Sequence, residues 1–135
     1  MRLDGKRVLT TGTGGGQGGT AQELFASEGA RIVGCDLQEG RAERSAAALR
    51  HQGHHVHGYT VDLTDPRLTE RWIEEAASNL GGIDVLYNNA AGYGFAPSAE
   101  MDLKLWRQVI SDELDILFHT THPARKHLLE GGGGL

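Results

Sequence analysis

The chain is short of most features that mark specialised classes of protein. It has one cysteine, Cys35, so no internal disulfide can form. Three prolines and no Gly-X-Y period exclude a collagen-like chain, and 39% hydrophobic residues exclude a disordered polar tract. No apolar stretch approaches the ~20 residues of a membrane span. The N-terminal Met1-Arg2-Leu3-Asp4-Gly5-Lys6-Arg7 lacks the apolar run of a signal peptide. Positive charge is also scarce: 13 Lys and Arg against 18 Asp and Glu leave a formal charge of -5, which argues against a nucleic-acid or anionic-membrane partner. The expectation is a cytoplasmic protein with one domain, 1–135, long enough to bury a core without metal or disulfide.

Glycine is in excess, at 20 of 135 residues, about twice the usual ~7%. Half of it lies in two runs, Gly12 to Gly19 and Gly131 to Gly134. Hydrophobic patterning predicts strands at 6–11, 31–36, 55–61 and 83–88, alternating with helices at 17–28, 39–51 and 66–80, then a long helical region over 102–129. That alternation implies βαβ units and a parallel sheet. Asp65, Pro66 and Gly81-Gly82 bracket helix 66–80 as N-cap, first-turn proline and stop. In the last region Leu103, Trp106, Ile110, Leu114, Leu117, Phe118 and Thr121 mark one face, and Pro123 should kink or interrupt it. Within helix 17–28, Ala21, Leu24 and Phe25 follow helical spacing. Trp72 and Trp106 lie on apolar faces and are expected in the core.

The first glycine run connects a strand to a helix, where free backbone N–H groups and the positive end of the helix dipole attract a phosphate. A nucleoside-triphosphate loop would continue into Gly-Lys-Ser/Thr, and the sequence has no such triplet. A dinucleotide loop requires an acid about 20 residues on, at the end of the next strand, for the adenosine ribose. Asp36 stands there, directly after Arg31-Ile32-Val33-Gly34-Cys35.

Thr11-Gly12-x-x-x-Gly16-x-Gly18 resembles the TGxxxGxG cofactor loop of the short-chain dehydrogenase/reductase family. Asp62, in Val61-Asp62-Leu63-Thr64-Asp65, is similar to the family's acid after the third strand, and Asn88-Asn89-Ala90-Ala91-Gly92 to its NNAG segment, with one extra alanine. The resemblance covers Leu3 to Gly134. It implies an α/β fold of Rossmann type in three layers: a doubly wound parallel sheet of four strands ordered 3-2-1-4, helices on both faces, ending before a fifth strand. The resemblance also implies that Gly12, Thr13, Gly14, Gly15, Gly16, Gln17 and Gly18 line the pyrophosphate and adjacent ribose. Asp36 and Leu37 would meet the adenosine ribose, Asp62 and Leu63 the adenine, and Asn89, Ala90 and Ala91 the far ribose wall. A carboxylate at Asp36 repels a 2'-phosphate, so NAD is expected over NADP.

The family's hydride transfer between secondary alcohols or ketones and NAD uses a serine and Tyr-x-x-x-Lys. Four residues after Tyr59, Tyr87 and Tyr93 stand Leu63, Ala91 and Pro97. Pattern matching sets Glu113 at the family's Asn, with Asp112 as the alternative register. No residue of this chain is therefore assigned as catalytic, and the chain alone is expected to bind dinucleotide without turning over an alcohol. The Gly131–Gly134 run resembles the turn into the family's fifth strand. Ending there would leave the strand at 83–88 on a sheet edge, so self-association or a partner chain is expected through that edge and the long last helix. The rival readings are a non-catalytic nucleotide-binding or dimerising module and an S-adenosylmethionine site, the latter disfavoured by the TGxxxGxG spacing and the NNA motif. His51, His54, His55 and His57 straddle a helix end and a strand without a completing Cys or acidic pair, and are taken as a solvated helix terminus with no metal. Cys35 is taken as a buried small hydrophobe.

Overall fold

The computed structural model describes residues 1–132. Strands β1 (Arg7–Thr11), β2 (Arg31–Asp36), β3 (Val56–Thr60) and β4 (Val85–Tyr87) alternate with helices α1 (Gly16–Ser27), α2 (Arg41–His51) and α3 (Pro66–Leu80). Beyond β4 come α4 (Leu103–Ile110), a π-turn over Ser111–Asp115, and α5 (Ile116–Glu130). All strand pairs are parallel and the order is β3-β2-β1-β4, the doubly wound arrangement expected. The expectation for Gly133 and Gly134 lies outside the described residues. No helix among the described residues is long and apolar enough to cross a membrane.

Successive strand residues point to opposite faces of the sheet, so Val8 and Leu9, or Ile32 and Val33, supply two separate cores. Val8, Ile32 and Val56 pack with Ala26, Ala46 and Leu49 on the α1/α2 side. Leu9, Val33 and Cys35 pack with Trp72, Ile73, Ile83, Ile116 and Leu128 on the α3/α5 side. Each fully buried Leu, Ile or Val contributes roughly 1.5–3 kcal/mol. The strands read as near-continuous apolar runs because both faces of the sheet are covered.

Three expectations need correction. The inward row of α1 is Gly18, Gln22 and Ala26, whereas Leu24 is exposed; α1 lies close to the sheet at its start, which demands small residues there. Trp106 is 54% exposed instead of buried. The inward side of α4 is formed by half-buried Leu105 and Val109, which close over Gly94, and Leu103 and Trp106 lie on the outer stripe. Pro123 does not interrupt α5, which runs unbroken to Glu130 with Ala124 and Leu128 buried against α3. That packing offsets the donor lost at the proline, and the helical register changes at Ser111–Asp115 instead.

At the opposite end of the sheet from the glycine run, Arg7 and Asp84 tie β1 to the start of β4. The Arg7 backbone N–H and Nε each donate to Asp84 Oδ2 at 2.8 Å, and Nη2 donates to Oδ1 at 2.7 Å. The Arg7 hydrogen bonds hold the Asp84 carboxyl down at about 2, although its partial burial works against this. The folded protein thus keeps a charge that the unfolded chain gives up near its ordinary value, so this contribution is complete above that value and is lost as pH falls towards 2. Asp84→Asn should cost roughly 1–2 kcal/mol at neutral pH after allowance for solvent screening. The gap to the parent protein should close on acidification, as measured by urea denaturation at neutral pH and at about pH 2–3.

Candidate dinucleotide site

The site lies at the C-terminal ends of the strands, where β1 leads to α1 on one side of the sheet and β4 leads away on the other. Gly12 takes φ 72°, a left-handed conformation natural to glycine. It turns the chain so that its own N–H and that of Thr13 both donate to Cys35 C=O, at 2.8 and 3.0 Å. On the other flank Thr11 Oγ1 accepts from the Asn89 and Ala90 N–H groups at 3.0 and 2.9 Å, and Asn89 Nδ2 donates to Thr11 C=O at 3.2 Å. The loop is thereby fixed to β2 and to the segment after β4. Helix α1 begins at Gly16 with no side-chain cap on its first turn, whereas Asp65 caps α3 and Asp102 caps α4. The first-turn N–H groups of α1 are left for solvent or a ligand.

A cleft of about 120 Å³ opens beside the loop. It brings together seven of the predicted residues, Gly12, Asp36, Leu37, Asp62, Leu63, Ala90 and Ala91. The other predicted residues lie around it. Thr13 is buried beneath the loop, Gly14 sits against Asp36, and Gly15, Gly16 and Gln17 are exposed at the rim. Gly18 is buried under Gly12, and Asn89 acts through its hydrogen bonds to Thr11. Sequence reasoning did not place Cys35, Val61, Thr64, Gly92 or Ile116 in the site, and named Asp112 only as the alternative register for the family's Asn. Gly92 could have been taken from the end of the Asn88–Gly92 motif; Ile116 comes from distant chain and carries no local signal. Glu113 is exposed and is not in the cleft wall, whereas its neighbour Asp112 is.

The side-chain charges of the cleft are all negative: Asp36, Asp62 and Asp112, with no Lys, Arg or His in the wall. Asp36 Oδ2 accepts from the Gly14 N–H and Oδ1 from the Gln38 N–H, both at 2.9 Å. Asp62 Oδ1 accepts from Thr64 N–H at 2.9 Å and from Thr64 Oγ1 at 2.6 Å. Such carboxylates, held by backbone donors and still carrying lone pairs, suit ligand hydroxyl and amino groups, while an anionic group would be left to the backbone N–H groups at the start of α1. Burial pushes the Cys35 thiol up, so it remains a neutral wall group. His51 ends α2 and His57 lies exposed on β3. Among the described residues no group of three or more His, Cys, Asp or Glu could hold a metal ion.

The sequence pattern of the short chain dehydrogenase family matches residues 6–135, and the chain belongs to that family. D-threitol dehydrogenase of Mycolicibacterium smegmatis is 34% identical over 134 residues, covering 99% of this chain and 52% of that protein. Meso-2,3-butanediol dehydrogenase of Serratia marcescens is also 34% identical over 134 residues, covering 98% and 52%. A short chain dehydrogenase from Burkholderia cenocepacia solved in complex with NADP superposes with a TM-score of 0.88 at 25% identity, over 95% of this chain and 53% of that one. The chain spans about half the length of the curated relatives it matches.

The close approach of α1 to the loop makes the glycines unequal. A Cβ on Gly18 would stand 2.0 Å from Gly12 O and 2.6 Å from Asn89 Nδ2, whereas one on Gly15 meets nothing within 4 Å. Gly18→Ala should therefore destabilise the fold by roughly 3 kcal/mol or more, and Gly15→Ala by no more than about 1 kcal/mol. Paired thermal melts of the two variants check this, and equal shifts would contradict it.

Proposed function

We propose that this chain is the NAD-binding part of a nicotinamide-dependent dehydrogenase acting on secondary alcohols or ketones. The observation that carries the reading is the pairing of an uncapped helix start at Gly16 with the Asp36 carboxylate across Gly14. The free N–H groups suit a pyrophosphate, and the carboxylate at the end of β2 suits vicinal ribose hydroxyls. In this reading Gly12 to Gly18 hold the pyrophosphate and adjacent ribose, Asp36 and Leu37 the adenosine ribose, Asp62 and Leu63 the adenine, and Asn89 to Ala91 the remaining wall. A 2'-phosphate would meet the Asp36 carboxylate, which favours NAD over NADP. The acid/base chemistry of hydride transfer is assigned to no residue between Met1 and Leu135. A cytoplasmic setting accompanies the reading.

Calorimetric titration of the purified chain should show NAD binding more tightly than NADP. Asp36→Ala should weaken NAD about tenfold, the worth of one hydrogen bond to a charged group, and narrow the preference. Equal affinities in the parent chain would remove the assigned preference, and binding of neither would remove the reading.

We also propose self-association, or pairing with a partner chain, through the edge of β4 and the outer stripe of the last helices. Leu103, Trp106, Leu114 and Phe118 are each more than half exposed along that stripe, and rows of large apolar residues in water favour association. Size-exclusion chromatography at micromolar concentration should give a species larger than 14.5 kDa, shifted towards monomer by Trp106→Asp. A monodisperse parent monomer would contradict the proposal.

A further inference from the structure

We infer that Asp112 is a base-recognition residue, whose carboxylate accepts a hydrogen bond from the exocyclic amine of the adenine in a bound dinucleotide. The inference rests on the reading of the cleft as a dinucleotide site and adds a residue from a different part of the chain.

Three observations support it. The first is placement: within the π-turn over Ser111–Asp115, Asp112 is half-buried in the cleft wall and its neighbour Glu113 is exposed. One turn further on, Ile116 lines the same wall and packs in one core with Val61 and Leu63. Asp112 therefore stands at the end of the cleft whose walls are apolar and suited to a flat ring. The second is orientation. Gly92 N–H donates to Asp112 C=O at 3.2 Å, and a Cβ on Gly92 would stand 2.6 Å from Asp112 Cβ and 3.0 Å from Oδ2. The carboxylate thus lies over bare backbone at Gly92, a position that any side chain at 92 would crowd.

The third is unused capacity. Asp36 and Asp62 each already accept two protein donors and keep only their remaining lone pairs for a ligand. The Asp112 carboxylate has no hydrogen-bond or ion-pair partner among the described residues, and the cleft wall offers it no cation. An acceptor so placed gains from a ligand that brings a donor and loses against one that brings a second acceptor. An adenine brings an amine, whereas a 6-oxo purine sets a carbonyl oxygen against the carboxylate.

The test compares NAD with its 6-oxo analogue, nicotinamide hypoxanthine dinucleotide, by calorimetry on the parent chain, Asp112→Asn and Asp112→Val, with thermal melts to confirm folding. The parent should prefer NAD by about tenfold or more. Asp112→Asn, whose amide donates as well as accepts, should bring the two ligands within about threefold. Asp112→Val should weaken NAD about tenfold and leave the 6-oxo analogue unchanged or bound more tightly. Retention of the parent ratio in both folded variants overturns the inference. So does a change confined to the ratio of NAD to NADP, which would turn the carboxylate towards the ribose. Failure of the parent to bind any dinucleotide would instead bring down the reading of the cleft itself, and this inference with it.

Discussion

The structure depends on how closely the first helix can approach the end of the first strand. Gly18 lies so near the Gly12 carbonyl that no side chain fits between them, and this contact decides where α1 begins. Because it begins so low over the sheet, its first-turn N–H groups end at the mouth of the cleft with no side chain in front of them. The loop cannot drift from that position. Cys35 C=O holds it from one side and Thr11, through Asn89 and Ala90, from the other. Three consecutive parallel strands are thereby joined at one point by backbone donors and one hydroxyl, which is why the site stands at the place where the strand order reverses.

Charge in the cleft is divided by source. The positive potential comes from unpaired backbone N–H groups and the helix dipole, and the negative potential from Asp36, Asp62 and Asp112. Neither source needs a long, mobile side chain. A ligand suited to this division is anionic in its middle and rich in hydroxyl and amino donors at one end. A dinucleotide has that pattern. Buried Thr13 and Cys35 close the floor beneath Gly12 and Gly14 without adding charge.

Much of this was legible in the sequence because the controlling signals are local. A strand, a glycine turn, a helix, a second strand and its terminal acid lie within one short stretch, and the structure keeps them in the expected order and register. Asp65 and Pro66 announced α3 with equal clarity, and Asp65 accepts the N–H groups of Arg67 and Leu68. The misreadings fall where a residue's surroundings are set by remote chain. Leu24 has helical spacing yet faces water, because the sheet admits only Gly18, Gln22 and Ala26 at that distance. Trp106 has the chemistry of a core residue but shares the outer stripe with Leu103. Pro123, expected to kink or interrupt the last helical region, does not interrupt α5, which is packed against α3 on both sides of it. Asp112 reaches the cleft from a π-turn, which adds a residue to the helical count, so simple helical spacing does not say which residue of Ser111–Asp115 faces inward.

That π-turn gives the last helical region two roles at once. Its inner side reaches the cleft through Asp112 and Ile116. Further along, Thr120 Oγ1 donates to Asn88 Oδ1 at 2.8 Å, and His119 Nδ1 pairs with Leu63 C=O at 2.8 Å. The helix is thus fastened both to the segment after β4 and to the segment after β3, the two walls that would flank an adenine. Its outer side carries Leu114, Leu117 and Phe118 in water. The His119 and Thr120 bonds therefore tie the same helix that carries the outer stripe to both walls. A partner seated on the outer stripe and a dinucleotide in the cleft would therefore meet opposite sides of one helical element.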